Sequence, residues 1–436
     1  MTKFCSCAER SRLSEIEMTT SNADVIIVGA GLAGLACALR LSDAGISFVI
    51  LEADQRIGGR LRTDRVDGFL LDHGFQVLQT AYPEARRLLD YRRLELNPFA
   101  PGAIIRAAKK FYRISDPRRR PRDLWRTATA PIGEFKDRLR MIRLALKVSR
   151  ETVSGIFREP DMTTIDFLRA EGFSEKIIQK FFIPFFAGVC LDPQIRASSR
   201  VFQYIFRIFA EGDVALPAQG MGAIPAQLAE NLPAAVILTG ARVESIHPGM
   251  VELNCGETIR GQAVVLATEG PETARLLKTP RSRASRGELC LYYAAEAAPL
   301  DEPYLILNGD RTGWINSLTI PSVVAPSYAP NGQALISVVV IGHLSSDDET
   351  AESAVHEQLI EWFGPVVNNW RHLRTYRILH ALPDQSPPMP DPAVPSAAAK
   401  SGIYVCGEYG SVPGIQWALI SGRRAAEQVL IDLDRR

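Results

Sequence analysis

Three glycines and one acid carry the clearest chemistry in this chain: Gly29, Gly31 and Gly34 at G-x-G-x-x-G spacing, and Glu52 further on. That set suits a dinucleotide. Gly29 lets the chain turn tightly, Gly31 lacks a Cβ that would obstruct a pyrophosphate, and Gly34 lets a helix pack closely on a strand. Leu32 and Ala33 open the helical stretch that follows, where unpaired N–H groups can face phosphate oxygens. Glu52 can bond ribose hydroxyls. A lone G-x-G-x-x-G says little, so the context decides. Here the apolar run Val25-Ile26-Ile27-Val28 feeds the glycines, residues 35–41 read as helix, and a second strand-like run, 47–51, ends on Glu52. Strand, turn, helix, strand and acid stand in the required order.

Two further blocks separate one class of dinucleotide from another. Gly58-Gly59-Arg60 follows Glu52 by six residues; its glycines admit a large cofactor to the backbone and Arg60 can neutralise a pyrophosphate. Near the other end stand Gly402-Ile403-Tyr404-Val405-Cys406-Gly407-Glu408, Gly414-Ile415-Gln416-Trp417-Ala418 and Ser421-Gly422-Arg423-Arg424. Together these residues resemble the FAD-dependent superfamily of amine oxidases, protoporphyrinogen oxidases and phytoene desaturases, closer to the last two branches. The resemblance spans about residues 24–430. It implies an α/β fold in which a discontinuous Rossmann-type FAD-binding domain carries an inserted α+β substrate domain, with FAD held non-covalently. It also implies that Glu408, after Gly407, bonds the ribityl chain and that Gly414 and Ile415 to Ala418 lie along the isoalloxazine. Val243 would bracket the adenine. The turn Asp72-His73-Gly74-Phe75-Gln76 would pass beside the flavin, with Gly74, Phe75 and Gln76 in contact.

A flavin accepts hydride at N5, so the protein mainly orients substrate and excludes water. No catalytic residue is assigned; His73 is the one candidate, as a proton relay, against the reading of a structural histidine bonded to backbone. Residues 181–209 hold eight aromatics, a stripe that also suits plain core. Pro184-Phe185-Phe186-Ala187-Gly188-Val189 resembles the substrate-pocket segment of the protoporphyrinogen oxidases and desaturases. Phe185, Phe186, Tyr204 and Trp417 are therefore expected to line an apolar pocket. In the amine oxidase branch an aromatic residue is expected where Gly414 stands, which disfavours a primary-amine substrate. Cys406 does not match a flavin attachment site. His343 and His380 stand alone on apolar segments and read as satisfied core residues. No His, Cys or carboxylate cluster has metal-ligand spacing, so no metal is expected, and no nucleophile motif occurs. Three readings follow: an FAD-dependent oxidase or desaturase acting on a hydrophobic substrate such as a polyene, isoprenoid or tetrapyrrole; a flavin amine oxidase; or a non-catalytic FAD-binding module.

The blocks that must touch one cofactor lie about 350 residues apart, so the cofactor domain is read as residues 23–80, 214–278 and 395–436. The substrate domain is read as 81–213, mainly helical and basic, and 279–394, an antiparallel sheet with a helix. Strand-like runs fall at 236–238, 241–246, 263–268, 289–293, 304–307, 314–320 and 334–341, and helical patterns at 164–170, 175–182, 200–210 and 351–363. Residues 383–395 form a proline-rich connection.

At 436 residues and 46% hydrophobic, the chain is long enough for two real cores. A net charge of +1 gives no global field that selects nucleic acid, and no run of 18 apolar residues could span a membrane. The tail, 1–22, has no apolar h-region; Met18 is an alternative start, and Cys5 with Cys7 reads as solvated. Seven cysteines without a paired framework fit a reducing, cytoplasmic setting. Residues 106–150 stand apart: fifteen Lys or Arg against four acids, a net of +11. Within them 135–148 reads as a basic amphipathic helix, with Leu139, Met141, Ile142, Ala145 and Leu146 on its apolar side. A solvated face and a peripheral membrane surface are the two readings, with nucleic acid third because aromatics are sparse. The oligomeric state has no signature in the sequence.

Overall fold

The computed structural model describes residues 23–233, 235–280, 283–392, 399–400, 402–407 and 412–434. The tail with Cys5, Cys7 and Met18, Glu408, and the last residues of the 383–395 connection lie outside the described residues.

Val25–Val28 is apolar throughout and fully buried, the pattern of a central parallel strand with both faces covered. It pairs in parallel with Phe48–Glu52 on one side and Ala263–Leu266 on the other. Ile237–Thr239 continues the sheet beyond Phe48–Glu52, and Ile403–Val405 continues it beyond Ala263–Leu266, again in parallel. Three stretches far apart in sequence thus share one sheet. The helix Leu32–Asp43 leaves the first strand and buries its small residues Ala33, Gly34, Ala36 and Ala38. Small side chains allow close approach: a Cβ at Gly422, on the last helix Ile415–Asp434, would lie 2.0 Å from the Ala33 carbonyl oxygen. The first and last helices therefore lock backbone against backbone.

In a second, seven-stranded sheet Arg371–Pro383 is the edge strand, and Ser285–Ala295 lies next to it, between it and Ala334–Val340. Ile315–Thr319 and Leu305–Asn308 continue it antiparallel. Two departures from the sequence reading matter. Gly102–Ala107 and Lys110–Ser115, inside the stretch expected to be mainly helical, form a hairpin on this sheet, and Gly102–Ala107 pairs in parallel with Leu305–Asn308. Their lysines and arginines mask a buried run, Ala103 to Ile105. Likewise Arg371–Pro383 is a 13-residue edge strand whose arginines at 371, 374 and 377 recur every third residue and hide the two-residue period. The pattern at 164–170 appears as Thr164–Ala170 and those at 200–210 and 351–363 with extended ends, while Pro83–Leu88, Val153–Arg158, Ala223–Glu230 and Gly270–Leu277 have no pattern of their own in the sequence reading. Ser199–Glu211 is capped by Ser198 and Asp348–Phe363 by Asp347. The 175–182 pattern splits into Glu175–Ile177 and a wider π-type turn, Ile178–Phe182, running into Ile183–Cys190. Among the described residues, no helix is long and apolar enough to cross a membrane.

Candidate functional site

The glycine turn does what its spacing demands. Gly29 has φ +106°, and a Cβ there would meet the Ala267 carbonyl oxygen at 2.9 Å; at Gly34 it would lie 2.0 Å from the Gly29 oxygen. Gly31 is different. Its Cβ would meet only the Gly59 Cα, at 3.9 Å, so the two glycines face each other across a gap that side chains would fill. The Gly58 N–H donates to the Ala30 carbonyl at 2.9 Å, which fastens the Gly58-Gly59-Arg60 turn to the first glycine turn. Gly31 caps the helix Leu32–Asp43 with no side-chain bond, which leaves the first N–H groups, those of Leu32, Ala33 and Gly34, turned towards this gap. A cradle of glycine backbone at a bare helix N-terminus fits a pyrophosphate.

Glu52, 8% exposed, ends its strand beside the cradle. One carboxylate oxygen accepts the Ala30 N–H at 2.8 Å and the other the Asp54 N–H at 2.9 Å. Each oxygen keeps a second lone pair for a hydroxyl. The Ala241 N–H donates to the Glu52 carbonyl at 2.8 Å, which brings Val243, two residues on and buried, near this acid. From the chain's other end, Gly407 approaches Ala33: a Cβ there would lie 4.0 Å from the Ala33 side chain. Its N–H is held by Ser421 Oγ at 2.8 Å. Gly414 borders open space, and Ile415 and Ala418, both half-buried, form the first turn of the last helix.

Arg60 does not stand free to meet an anion. Its Nε donates to the His380 carbonyl at 2.7 Å and its guanidinium lies 3.8 Å from Glu269. A groove opens alongside, lined by Glu269, Pro271, Arg275 and His380. Gln76 donates to the Arg60 carbonyl at 2.9 Å, which joins the 72–76 turn to the cradle. Two buried polar atoms near this junction have no hydrogen-bond partner: Gln76 Oε1 and His380 Nδ1. His380 is thus not the satisfied core residue expected from its apolar neighbours. His343 stacks on Trp314 at 4.0 Å.

His73 bonds a side chain rather than backbone: Nε2 lies 3.0 Å from Asp64 Oδ2, and its ring packs 4.6 Å from that of Tyr376. Burial lowers its pKa against the pull of Asp64. Burial raises the Asp64 carboxyl, but bonds from Tyr376, Arg56 and His73 outweigh it and hold it down at about 2.

The sequence reading missed Glu288. It stands on Ser285–Ala295 with its carboxyl against the same turn, accepting the Phe75 N–H at 3.2 Å, and a Cβ at Gly74 would overlap it at 2.3 Å. Burial pushes it up to about 8, so the group is mostly protonated at neutral pH. Its one signal was a lone acid at the head of the apolar run Leu289-Cys290-Leu291. Asp72, also buried and raised to about 6, is held by Thr63, Met221 and Tyr328 and serves the framework.

The four aromatic residues expected in a pocket fall into two groups. Phe185 and Phe186 meet at 5.1 Å, within a cluster that includes Phe182 and Phe202. Tyr204 and Trp417 meet at 5.7 Å in another, which ties the helix Ser199–Glu211 to the last helix. Phe185 alone of the four is half-exposed; the others are buried. Cys406 is buried, its thiol raised to about 12 by desolvation.

A family model described as "Flavin containing amine oxidoreductase" matches residues 32–430. Protoporphyrinogen oxidase 2 of Arabidopsis thaliana is 42% identical over 66 residues, 15% of this chain and 13% of that protein's length. Coproporphyrinogen III oxidase of Propionibacterium freudenreichii is 23% identical over 394 residues, 73% of each chain. Among solved structures, putrescine oxidase bound to putrescine superposes with a TM-score of 0.70 at 17% identity, covering 94% of this chain and 99% of that one. At that identity the likeness is one of fold.

Proposed function

The chain belongs to the flavin-containing amine oxidoreductase family, and on that premise we propose that it is an FAD-dependent oxidoreductase that takes hydride from a hydrophobic small molecule. The carrying observation is the cradle: Gly31 faces Gly59 across a gap at a bare helix N-terminus, with Glu52 beside it. Those donors and that space fit the diphosphate and adenosine ribose of FAD. The three stretches of the parallel sheet, residues 23–80, 214–278 and 395–436, would form a Rossmann-type domain around the cofactor, with 81–213 and 279–394 as the substrate domain.

In this reading Leu32 and Ala33 N–H groups hold the diphosphate, Glu52 the ribose, and Val243 lies along the adenine. The bound flavin supplies the hydride acceptor. Gly74, Phe75 and Gln76 position its ring side, and Glu288 keeps a proton on its carboxyl behind that turn. The aromatic wall of 181–209, reached through half-exposed Phe185, keeps water away from an apolar substrate. FAD would be held without a covalent bond in this reading, with Cys406 buried beside the end of Ile403–Val405 and not matching an attachment site. A polyene, isoprenoid or tetrapyrrole fits this wall better than an amine. Gly414 leaves open space where the resemblance to the amine oxidase branch expects an amine-holding ring.

The test is direct. Purified protein should be yellow, release intact FAD on acid denaturation, and bleach without air when given its substrate. A panel of porphyrinogens, polyenes and amines then decides the class. Bleaching by amines alone would favour the amine oxidase reading; retention of FAD with no bleaching by any class would favour a non-catalytic module.

A further inference from the structure

Nine large apolar side chains are exposed among the described residues, and six of them fall between Leu124 and Leu146. Trp125 is 77% exposed and Phe135 70%; Leu139, Ile142 and Leu146 are about half exposed. On Phe135–Arg150, positions 135, 139, 142 and 146 form one row at helical spacing. The helix therefore turns the more apolar of its faces outward. Its inward face is fixed by Leu144, Val148 and Asp137, the last bonded to the Ser174 N–H at 2.9 Å and to Ser174 Oγ at 2.5 Å. Rolling the helix to hide the row would break the bonds to Ser174 and carry Leu144 and Val148 out of the core.

Cations flank the same row. Lys136, Arg143 and Arg150 follow at seven-residue intervals along one side of it, all exposed, with no carboxylate partner among the described residues. The short helix Leu124–Thr129 repeats the combination, with Leu124 and Trp125 beside Arg122 and Arg126, which have no carboxylate partner among the described residues. The two helices adjoin where Arg138 reaches the Ala130 carbonyl at 3.5 Å. The stretch 106–150 carries +11 in sequence, but Arg106, Arg113, Arg118, Arg119, Arg140 and Lys147 pair with carboxylates, so the cations offered beside the row are Arg122, Arg126, Lys136, Arg143 and Arg150.

We propose that this face docks on the surface of an anionic phospholipid bilayer. Exposed leucines, isoleucine and tryptophan enter the acyl boundary while flanking Lys and Arg remain at the headgroups. A nucleic acid would use the cations but gain nothing from the aliphatic row. A second copy would cover the row but set the unpaired cations beside it, Lys136, Arg143 and Arg150 among the described residues, against their own copies. A surface that is both negative and apolar beneath satisfies both halves of the pattern, and a bilayer of anionic phospholipid is such a surface.

The test uses flavin-loaded protein, floated with phosphatidylcholine vesicles made with or without phosphatidylglycerol. Wild type should float with the anionic vesicles and lose most of that binding as salt rises from about 0.1 to 1 M, where screening shortens from about 10 to 3 Å. Arg143→Glu with Arg150→Glu should weaken binding by about fivefold or more per residue, and Leu139→Ser with Ile142→Ser should abolish insertion. Light scattering and thermal melts accompany every variant; should the serine pair fail to fold, the charge pair decides alone. Equal flotation on neutral vesicles, none on anionic vesicles at low salt, or a wild-type dimer that Leu139→Ser and Ile142→Ser dissociate would each overturn the proposal. Flavin content and turnover are not part of the readout, so failure here leaves the proposed chemistry standing.

Discussion

The Glu288 carboxyl accepts the Phe75 N–H at 3.2 Å in a fully buried place where desolvation dominates and no cation offsets it. Its ordinary value is 4.5 and burial pushes it up to about 8, so the folded chain holds this proton more tightly than the unfolded one. The stabilisation from that proton is complete below about pH 4.5 and is lost as pH rises to about 8. Glu288→Gln keeps a neutral group of similar shape and removes the dependence. The variant should gain on wild type across that window by at most about 1.4 kcal/mol per pH unit, then level off. Denaturant melts near pH 5, 7 and 9 check it; curves that stay parallel would mean that Glu288 ionises freely in the folded protein.

Gly31→Val should abolish flavin retention while leaving the fold intact. The facing Gly59 Cα is 3.9 Å from the first added carbon, so valine fits the backbone but fills the gap assigned to the diphosphate. Gly34→Val is the contrasting case. Its Cβ would overlap the Gly29 carbonyl at 2.0 Å, and the domain itself should fail to assemble. Flavin absorbance and thermal melts separate the two outcomes. Full flavin content in Gly31→Val would place the diphosphate elsewhere.

Glu52→Ala should weaken FAD binding by about 1.5–3 kcal/mol, roughly tenfold to somewhat above a hundredfold in Kd, the loss of charge-assisted hydrogen bonds to the ribose. Because Glu52 also holds the Ala30 and Asp54 N–H groups, the apoprotein should melt lower as well. Flavin fluorescence titration is the deciding measurement. A lower melting temperature with unchanged affinity would confine Glu52 to holding the turn.

The glycine turn was legible because its constraints are local: three positions where a Cβ collides or fills a gap can be read from spacing alone. Glu288 was not, since an acid on an apolar strand becomes meaningful only once the 72–76 turn packs over it. The amphipathic pattern of 135–150 announced two faces without saying which points inward. Asp137, which reads as a surface residue, settles that by finding Ser174 on another segment. Arginines at every third position of Arg371–Pro383 hid an edge strand for a similar reason, because edge strands need no apolar alternation when neighbours on one side supply the hydrogen bonds. Aromatic composition likewise marked residues 181–209 but could not divide rings stacked on each other from a ring that meets a ligand.

His73 offers the sharpest choice between anchoring and proton transfer. Its Nε2 faces Asp64, a carboxylate that also takes the Tyr376 hydroxyl at 2.7 Å and the Arg374 guanidinium at 3.0 Å. With Asp64 held at about 2, that partner stays ionised across the working range and has no proton to pass on. The His73–Asp64 bond instead braces one end of the hairpin Thr63–Val66 and Phe69–Asp72. Asp64, through Tyr376 and Arg374, and the His73 ring, against Tyr376, tie that hairpin to the edge strand. His73→Asn should therefore cost about 1–2 kcal/mol of stability, a part-exposed hydrogen bond to a charged group. The rate of anaerobic flavin reduction and its pH profile should stay within a few-fold of wild type. A relay behaves in the opposite way: removing it costs about a hundredfold or more in rate and shifts the pH profile at unchanged melting temperature. Stopped-flow reduction of both proteins across pH, beside their melts, distinguishes the two roles.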